Sequence, residues 1–220
     1  MKVLGIDCAG TACSVALLTD EAVLGERSVM MERGQAEALL PMISSVLDAA
    51  RTDLAALDRI AVTVGPGSFT GLRTGLSAAR GLALARSLPI TGVTSFDAAA
   101  EAVADLLDGA PLVVALESKR VELYLQIFDK SEARAPALVA PDAWAGFVPP
   151  GPFHLTGDGA PRLAAALGRS DVVVTPARWS HAVAAARLAR LRPATAAPPH
   201  PLYLRAPDVT LPARRETAAQ

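Results

Sequence analysis

The residues best suited to chemistry lie in the run Gly65–Arg80, GPGSFTGLRTGLSAAR. It follows an apolar run, Ile60-Ala61-Val62-Thr63-Val64, that reads as a buried strand, and it continues in a helical pattern to about Leu88. A strand, a glycine-rich loop and a helix start can turn backbone N–H groups toward an anion or toward a partner's carbonyls. Gly65, Gly67 and Gly71 allow positive φ or close backbone approach, and Pro66 stiffens the turn. Ser68 or Thr70 can cap the helix. The competing reading is a tight strand-to-helix connection with no ligand. The spacing matches neither GxxxxGKS/T nor GxGxxG, so neither nucleotide fingerprint applies.

A second candidate is Asp7 with Gly10 and Thr11 just after it. Small residues there let backbone N–H groups reach a phosphate, and the Asp can hold Mg²⁺ through water. The other reading is a strand-end Asp that pins a hairpin. The corresponding turn later in the chain, Glu117-Ser118-Lys119-Arg120, has no glycine, and Gly157-Asp158-Gly159 is short and unspecific. Half a nucleotide site is therefore written here. Ser68 and Ser118 have no His at motif spacing, and no GxSxG occurs. Glu117 and Glu122 form either an acid–base pair or a solvated hairpin face. Lys119-Arg120 reads as a solvated turn or as a contact for RNA or a partner. Trp144 and Trp179 read as packing anchors. His154, His181 and His200 are too scattered for a metal site, and Cys8 and Cys13 read as free thiols.

The elements that position these residues follow from periodicity and turn signals. Strands are expected at Lys2–Cys8, Ser14–Thr19, Ala22–Met30, Arg59–Val64 and Pro89–Val93. A helix is expected over Gln35–Ala50 despite Pro41, and a short turn over Thr52–Leu57, capped by Thr52 or Asp53. Ser95 caps a helix to about Leu107. Strands follow at Leu112–Glu117 and Val121–Phe128, then an irregular stretch from Lys130 to Pro152 with a short helix near Asp142. A strand at His154–Thr156, a helix at Ala160–Leu167, a strand at Val172–Thr175 and a helix from Ser180 to Leu191 complete the body. The proline-rich tail should lie extended on the body as far as about Val209 and fray near Gln220.

The hairpin VVALESKRVELYLQIF repeats LGIDCAGTACSVALL in pattern, so the chain reads as two similar α/β lobes with a cleft between them. The lobes are residues 1–94 and 95–192, with the tail at 193–220. The helix after the glycine loop is apolar around most of its circumference. Leu72, Leu76, Ala79 and Ala83 form one stripe, and Gly71, Gly75, Ala78, Leu82 and Ala85 form a small-residue stripe beside it. Such a helix is buried on two sides, one against a sheet and one against another helix.

Of the 220 residues 51% are hydrophobic and 20% charged, with a net charge of −1. That composition supports a substantial core and lacks the basic stripe of a nucleic-acid binder. No signal peptide is expected, and no apolar run approaches the ~20 residues of a membrane helix.

The run GPGSFTGLRTGLSAARGLA closely resembles the signature of the TsaB (YeaZ) family, the accessory subunit of the tRNA threonylcarbamoyladenosine machinery. GIDCAGTACSVAL, RGQAEALLPMI, ESKRVELYLQIF and PLYLRAPDVT fall in the matching order, so the resemblance spans about residues 2–210. It implies an actin/Hsp70/sugar-kinase-like (ASKHA) duplicated fold. It also implies a non-catalytic, cytoplasmic subunit that binds a TsaD-like enzyme acting on adenosine 37 of ANN-decoding tRNAs. A TsaE-like ATPase is a third component, tRNA is reached only through the complex, and no cofactor belongs to this chain. ATP would belong to the partner subunits, and Asp7, Gly10 and Thr11 would be a vestigial nucleotide loop. The family also forms homodimers through the same first-lobe helices, and here those are Gln35–Ala50 and Gly71–Leu88. The implied interface residues are Leu39, Leu40, Ile43, Leu72, Gly75, Leu76, Ala79 and Leu82. Gly65, Pro66, Gly67, Ser68, Phe69, Thr70, Gly71 and Arg73 form the signature loop. Gln35 stands where the family usually has His, so a metal role there does not carry over. Glu117-Ser118-Lys119-Arg120 departs from the family's DxR-type segment, so side-chain contacts there differ.

The alternatives are an ATPase or small-molecule kinase of the same fold and, more weakly, a glycoprotease-like peptidase. On this reading Leu76→Glu or Ala79→Arg breaks subunit pairing and leaves the fold intact, as co-purification and thermal melting would show.

Overall fold

The structure, a computed structural model, describes residues 1–129, 134–178, 181–193 and 197–205. These residues form two five-stranded sheets. The first contains β1 (Val3–Asp7), β2 (Ala12–Leu18), β3 (Val23–Met30), β4 (Arg59–Gly65) and β5 (Ile90–Thr94), in the order β3-β2-β1-β4-β5. The second contains β6 (Leu112–Glu117), β7 (Leu123–Phe128), β8 (Ala137–Val139), β9 (Phe153–Thr156) and β10 (Val172–Val174), in the order β10-β9-β6-β7-β8. In each sheet the first three strands in sequence are antiparallel and the last two join parallel. The duplication expected from the two hairpins thus extends through every strand. It includes β8, in the stretch expected to be irregular. Two short hairpin-linked runs and two helix-linked parallel crossovers account for this topology in each half.

The described residues also form six α-helices: α1 (Gln35–Ala49), α2 (Phe69–Arg86), α3 (Ser95–Ala102), α4 (Trp144–Phe147), α5 (Ala160–Leu167) and α6 (His181–Leu191). Several start signals differ from expectation. Thr94, not Ser95, caps α3, because its hydroxyl accepts from Asp97 N–H at 2.9 Å. The 3₁₀ turn Leu54–Ala56 has no side-chain cap, since Thr52 donates instead to Ala50 O. The helix α1 runs through Pro41, which lies on its exposed side. Trp144 is a packing anchor, buried with its Nε1–H donating to Val139 O at 2.9 Å. Trp179, the cap at Ser180 and the tail beyond Arg205, including Val209 and Gln220, lie outside the described residues.

The central strands β1, β2 and β4 of the first sheet are buried on both faces, and alternation gives each face its own character. Leu4 and Ile6, Val15 and Leu17, and Ile60 and Val62 point to the side of α1 and α2. The opposite face is built around small residues, Ala16 and Ala61 with Gly5 between them, and α6 lies on it. Five buried alanines of α6, Ala182, Ala184, Ala185, Ala186 and Ala189, complete that seam. The approach is close enough that a Cβ on Gly5 would collide with the Ala182 carbonyl oxygen. The second lobe expected over residues 95–192 is therefore not a spatial unit, because its last helix covers the first sheet. Arg59 ties the end of α6 down by donating to Ala189 O and, at 2.7 Å, to Arg192 O.

The helix α3 stands between the lobes. Phe96, Ala99 and Val103 pack on Leu112, Val114 and Leu116 of the second sheet, while Ala98 joins the seam beside α6. The segment 197–205 then straps back over the first lobe. Leu202 N–H donates to Val64 O at 2.6 Å, and Arg80 donates to Pro199 O at 2.7 Å. Leu202 packs on the first-lobe core and Leu204 on the second-lobe cluster. No helix among the described residues is long and apolar enough to cross a membrane.

The small face makes a quantitative prediction. Gly5→Ala adds one methyl group against a backbone carbonyl that cannot rotate away. It should cost about 1–3 kcal/mol, as overpacked cores do, measured by denaturant unfolding.

Candidate functional site

The glycine loop is seated on the turn between β1 and β2. Ser68 N–H donates to Ala9 O at 2.7 Å. A Cβ on Gly67 would collide with that same carbonyl, and a Cβ on Gly71 would collide with the carbonyl of Cys8. Ser68 caps α2 by accepting from Gly71 N–H at 3.3 Å. Gly65 has φ +108°, open only to glycine without strain, and its bond to Pro66 is cis. The small-residue stripe therefore begins, at Gly71 and Gly75, on the chain's own hairpin turn, while its later part at Ala78 borders α1. Below it Cys8 and Cys13 are free and buried with sulfurs 3.5 Å apart. Hydrogen bonding with Cys13, reinforced by burial, pushes the Cys8 thiol well above its usual range, so Cys8 stays protonated.

Between the lobes lies a cleft of about 690 Å³. One wall is the first hairpin turn with Asp7, Gly10 and Thr11, together with Pro66, Ser68 and Phe69 of the loop. The other is the turn Glu117–Arg120 with Gly157 and Asp158. Asp7 is buried and holds the first wall together. Its Oδ1 accepts from the Thr63 hydroxyl at 2.6 Å and from Ala9 N–H at 3.0 Å, and its Oδ2 lies 3.6 Å from His181 Nδ1. These contacts match the hairpin-pinning reading of Asp7. The hydroxyls of Thr11 and Ser95, which also border the cleft, have no hydrogen-bond partner among the described residues.

The second wall is filled from behind. Arg162 of α5 donates to Arg120 O and Glu122 O, each at 2.9 Å, and lies 3.3 Å from Glu117 Oε2. Burial lifts the Glu117 carboxyl above the ordinary glutamate range, against the opposing pull of Arg162. Glu117 borders the cleft and Glu122 does not, so the two do not converge on one reacting atom. Gly157 has φ +106° and packs on the Ala115 carbonyl, so Gly157-Asp158-Gly159 is the structural counterpart of Gly65-Pro66-Gly67. The sequence spacing hid this, because the two loops correspond through the order of strand, loop and helix in each half and the positive φ of the first glycine. His154 pairs with Asp108 at 2.9 Å, away from His181 on Asp7. No group of three or more potential metal ligands occurs among the described residues.

A second concavity, a shallow groove, runs between α1 and α2, lined by Ala36, Leu39, Leu40, Phe69, Arg73 and Ala78 among others. Here the expected interface residues divide. Leu39, Ile43, Leu72, Gly75, Leu76 and Ala79 are buried in this chain, with Leu72 1%, Leu76 3% and Ala79 0% exposed. They face the sheet, and their small or apolar character is explained by the core. Leu40 at 54% and Phe69 at 49% reach solvent, with Leu82 half-buried. A stripe at 3.6-residue spacing does not say which of two adjacent faces turns inward, and here the Leu72–Ala83 stripe does. Tyr203 escaped sequence analysis, since the tail has no periodicity to place it. It lies with its ring 5.5 Å from Phe69.

The expectation for Leu76→Glu and Ala79→Arg is therefore reversed. Each puts a charge into the core of the first lobe, a change of the class that costs more than about 4 kcal/mol. Both variants should lose the cooperative melt, whereas Leu40→Glu should keep it.

The family model described as "TsaD: tRNA N6-adenosine threonylcarbamoyltransferase" matches residues 29–166, more than half the chain. The tRNA threonylcarbamoyladenosine biosynthesis protein TsaB of Escherichia coli (strain K12) is 33% identical over 132 residues, 60% of this chain and 57% of that protein. The match thus spans little more than half the length of that relative. An uncharacterized protein of Mycobacterium tuberculosis (strain ATCC 25618 / H37Rv) is 38% identical over 210 residues, 94% of this chain and 92% of that one. Among solved structures, an uncharacterized Pseudomonas aeruginosa protein with similarity to peptidase YeaZ superposes with a TM-score of 0.77 at 25% identity, covering 93% of this chain and 99% of that one. A hexokinase from Thermus thermophilus, at 16% identity and a TM-score of 0.51 over 86% of this chain and 98% of its own, shares the sugar-kinase type of fold. With two duplicated sheets, a signature loop seated on the first hairpin and these relatives, the chain belongs to the TsaB (YeaZ) family.

Proposed function

We propose that this chain is a non-catalytic subunit that binds and supports a TsaD-like enzyme in forming N6-threonylcarbamoyladenosine at position 37 of ANN-decoding tRNAs. The observation that carries the reading is the groove between α1 and α2, where Leu40 and Phe69 stand about half exposed. Exposed apolar side chains beside a groove on a rigid helix pair suit a partner's helix. The chain works in the cytoplasm with a TsaE-like ATPase as third component, and it reaches tRNA only through the complex. In isolation the same surface pairs two copies, more weakly than it holds the enzyme. A stable complex would extend beyond the groove to bury on the order of 1,000 Å² or more.

The chain needs no nucleotide of its own on this reading. In support, Arg162 already fills the second turn, where a phosphate would need open N–H groups. One observation favours a second reading, an ATP-binding enzyme: the cleft is roomy and bordered by the unpartnered hydroxyls of Thr11 and Ser95. Calorimetry with ATP and Mg²⁺ separates the two, since tight binding and turnover by this chain alone would overturn the first.

The docking reading is tested with Leu40→Glu. The variant should keep the wild-type melting temperature and bind a TsaD-type subunit at least about tenfold more weakly. Undiminished co-purification would sink the assignment of the groove.

A further inference from the structure

The groove ends in an arginine that the chain itself holds in place. The Arg73 guanidinium lies over the Phe69 ring with Cζ 3.6 Å from the centroid. Its Nε donates to the Tyr203 hydroxyl at 3.4 Å, and the Tyr203 ring stands 5.5 Å from Phe69. Tyr203 is itself anchored, because Leu202 N–H is bonded to Val64 O and Leu202 and Leu204 are packed on either side of it. Stacking fixes the plane of the guanidinium, and the Nε bond fixes its rotation within that plane. Its Nη1 and Nη2 edge makes no hydrogen bond or ion pair with any other described residue.

A guanidinium held this way is suited to one ligand chemistry. The planar fork accepts a carboxylate through two parallel N–H···O bonds, and stacking has already removed much of the side chain's freedom. The surroundings say what carries that carboxylate. Of the residues lining the groove, Arg73 is the only charged one. The sequence of α2 contains Arg73, Arg80 and Arg86 and no acidic residue. A second copy laying its α2 across this one would bring arginines toward arginines. An apolar helix bearing an acidic side chain on a different subunit meets no such penalty.

We infer that Phe69, Arg73 and Tyr203 form a preformed carboxylate receptor, and that the docking subunit inserts an Asp or Glu between Nη1 and Nη2 while its apolar face fills the groove. This rests on the docking reading above and adds the partner's chemistry to it. It also makes the 197–205 strap part of the docking surface and gives Arg73 the task of separating the partner subunit from a second copy.

The test uses the full chain, labelled for fluorescence anisotropy and titrated with the purified TsaD-type subunit from the same source. Arg73→Lys keeps the charge and loses the fork, so it should weaken binding about tenfold or more with an unchanged melting temperature. Tyr203→Phe should show a smaller loss in the same direction. Arg73→Glu should abolish binding and regain it when one acidic residue of the partner is reversed to Arg. Wild-type binding with an unaffected Arg73→Lys overturns the receptor and leaves docking standing. Absence of wild-type binding removes both. If Arg73→Lys alters only self-association in sedimentation equilibrium, the occupant is a second copy and the inference is wrong.

Discussion

The contact on which the rest depends joins two pieces of backbone, the glycine loop and the first hairpin turn. Ser68 N–H meets Ala9 O, and Gly67 and Gly71 let α2 begin directly on the carbonyls of Ala9 and Cys8. Any side chain at either glycine would hold α2 away from the hairpin. That separation would open the core where Cys8 packs beside Gly75, and would shift the first turn of α2 that carries Phe69 and Arg73. The wall of the cleft and one side of the groove are thus positioned by a single seam. Asp7 stiffens the seam from below through Thr63, Ala9 N–H and His181.

The same seam explains why a loop that looks like a phosphate cradle acts as a fastening. A cradle needs several amide donors aimed at one empty point. Here the Ser68 donor is used on Ala9, the Gly71 donor on the Ser68 hydroxyl, and Leu72 N–H on Ser68 O. The second half repeats the pattern with Gly157 and Gly159 on Ala115. Across from the first turn, the space between the carbonyls of Arg120 and Glu122 is filled by the Arg162 guanidinium. A glycine spacing alone cannot distinguish donors that are free from donors that are spent, because that depends on residues ~60 positions away.

Much of the fold was legible because alternation and turn chemistry are local. The two hairpins, the parallel crossovers and the duplication follow from them. The large-small rhythm of Leu4-Gly5-Ile6, Val15-Ala16-Leu17 and Ile60-Ala61-Val62 was also present, and it specifies one face for α1 and α2 and another for α6. That rhythm gains meaning only when an alanine-rich helix some 120 or more residues later is set against it. The short strand β8 was hidden by its three-residue length and its proline-rich surroundings. The site was less legible than the fold. The stripe through Leu72, Leu76 and Ala79 has the spacing of an interface, and buried cores have the same spacing. Only exposure separates them, and it assigns that stripe to the core and leaves Leu40, Phe69 and Arg73 outside.

The geometry also links the two concavities. Phe69 and Thr70 line both the interlobe cleft and the groove between α1 and α2. They form the first turn of α2, whose position is set by the hairpin and whose outer side is braced by Tyr203. The groove therefore lies on the outer side of the cleft wall, with one turn of helix between the two. A displacement of that turn would have to break the Ser68–Ala9 hydrogen bond or strip the close packing at Gly67 and Gly71, and the strap adds the Leu202–Val64 bond from the other side. Such over-determined packing resists continuous deformation, so groove and cleft are separated by a rigid wall. The wall's stiffness comes from Gly67 and Gly71, two of the three glycines that first suggested a ligand site.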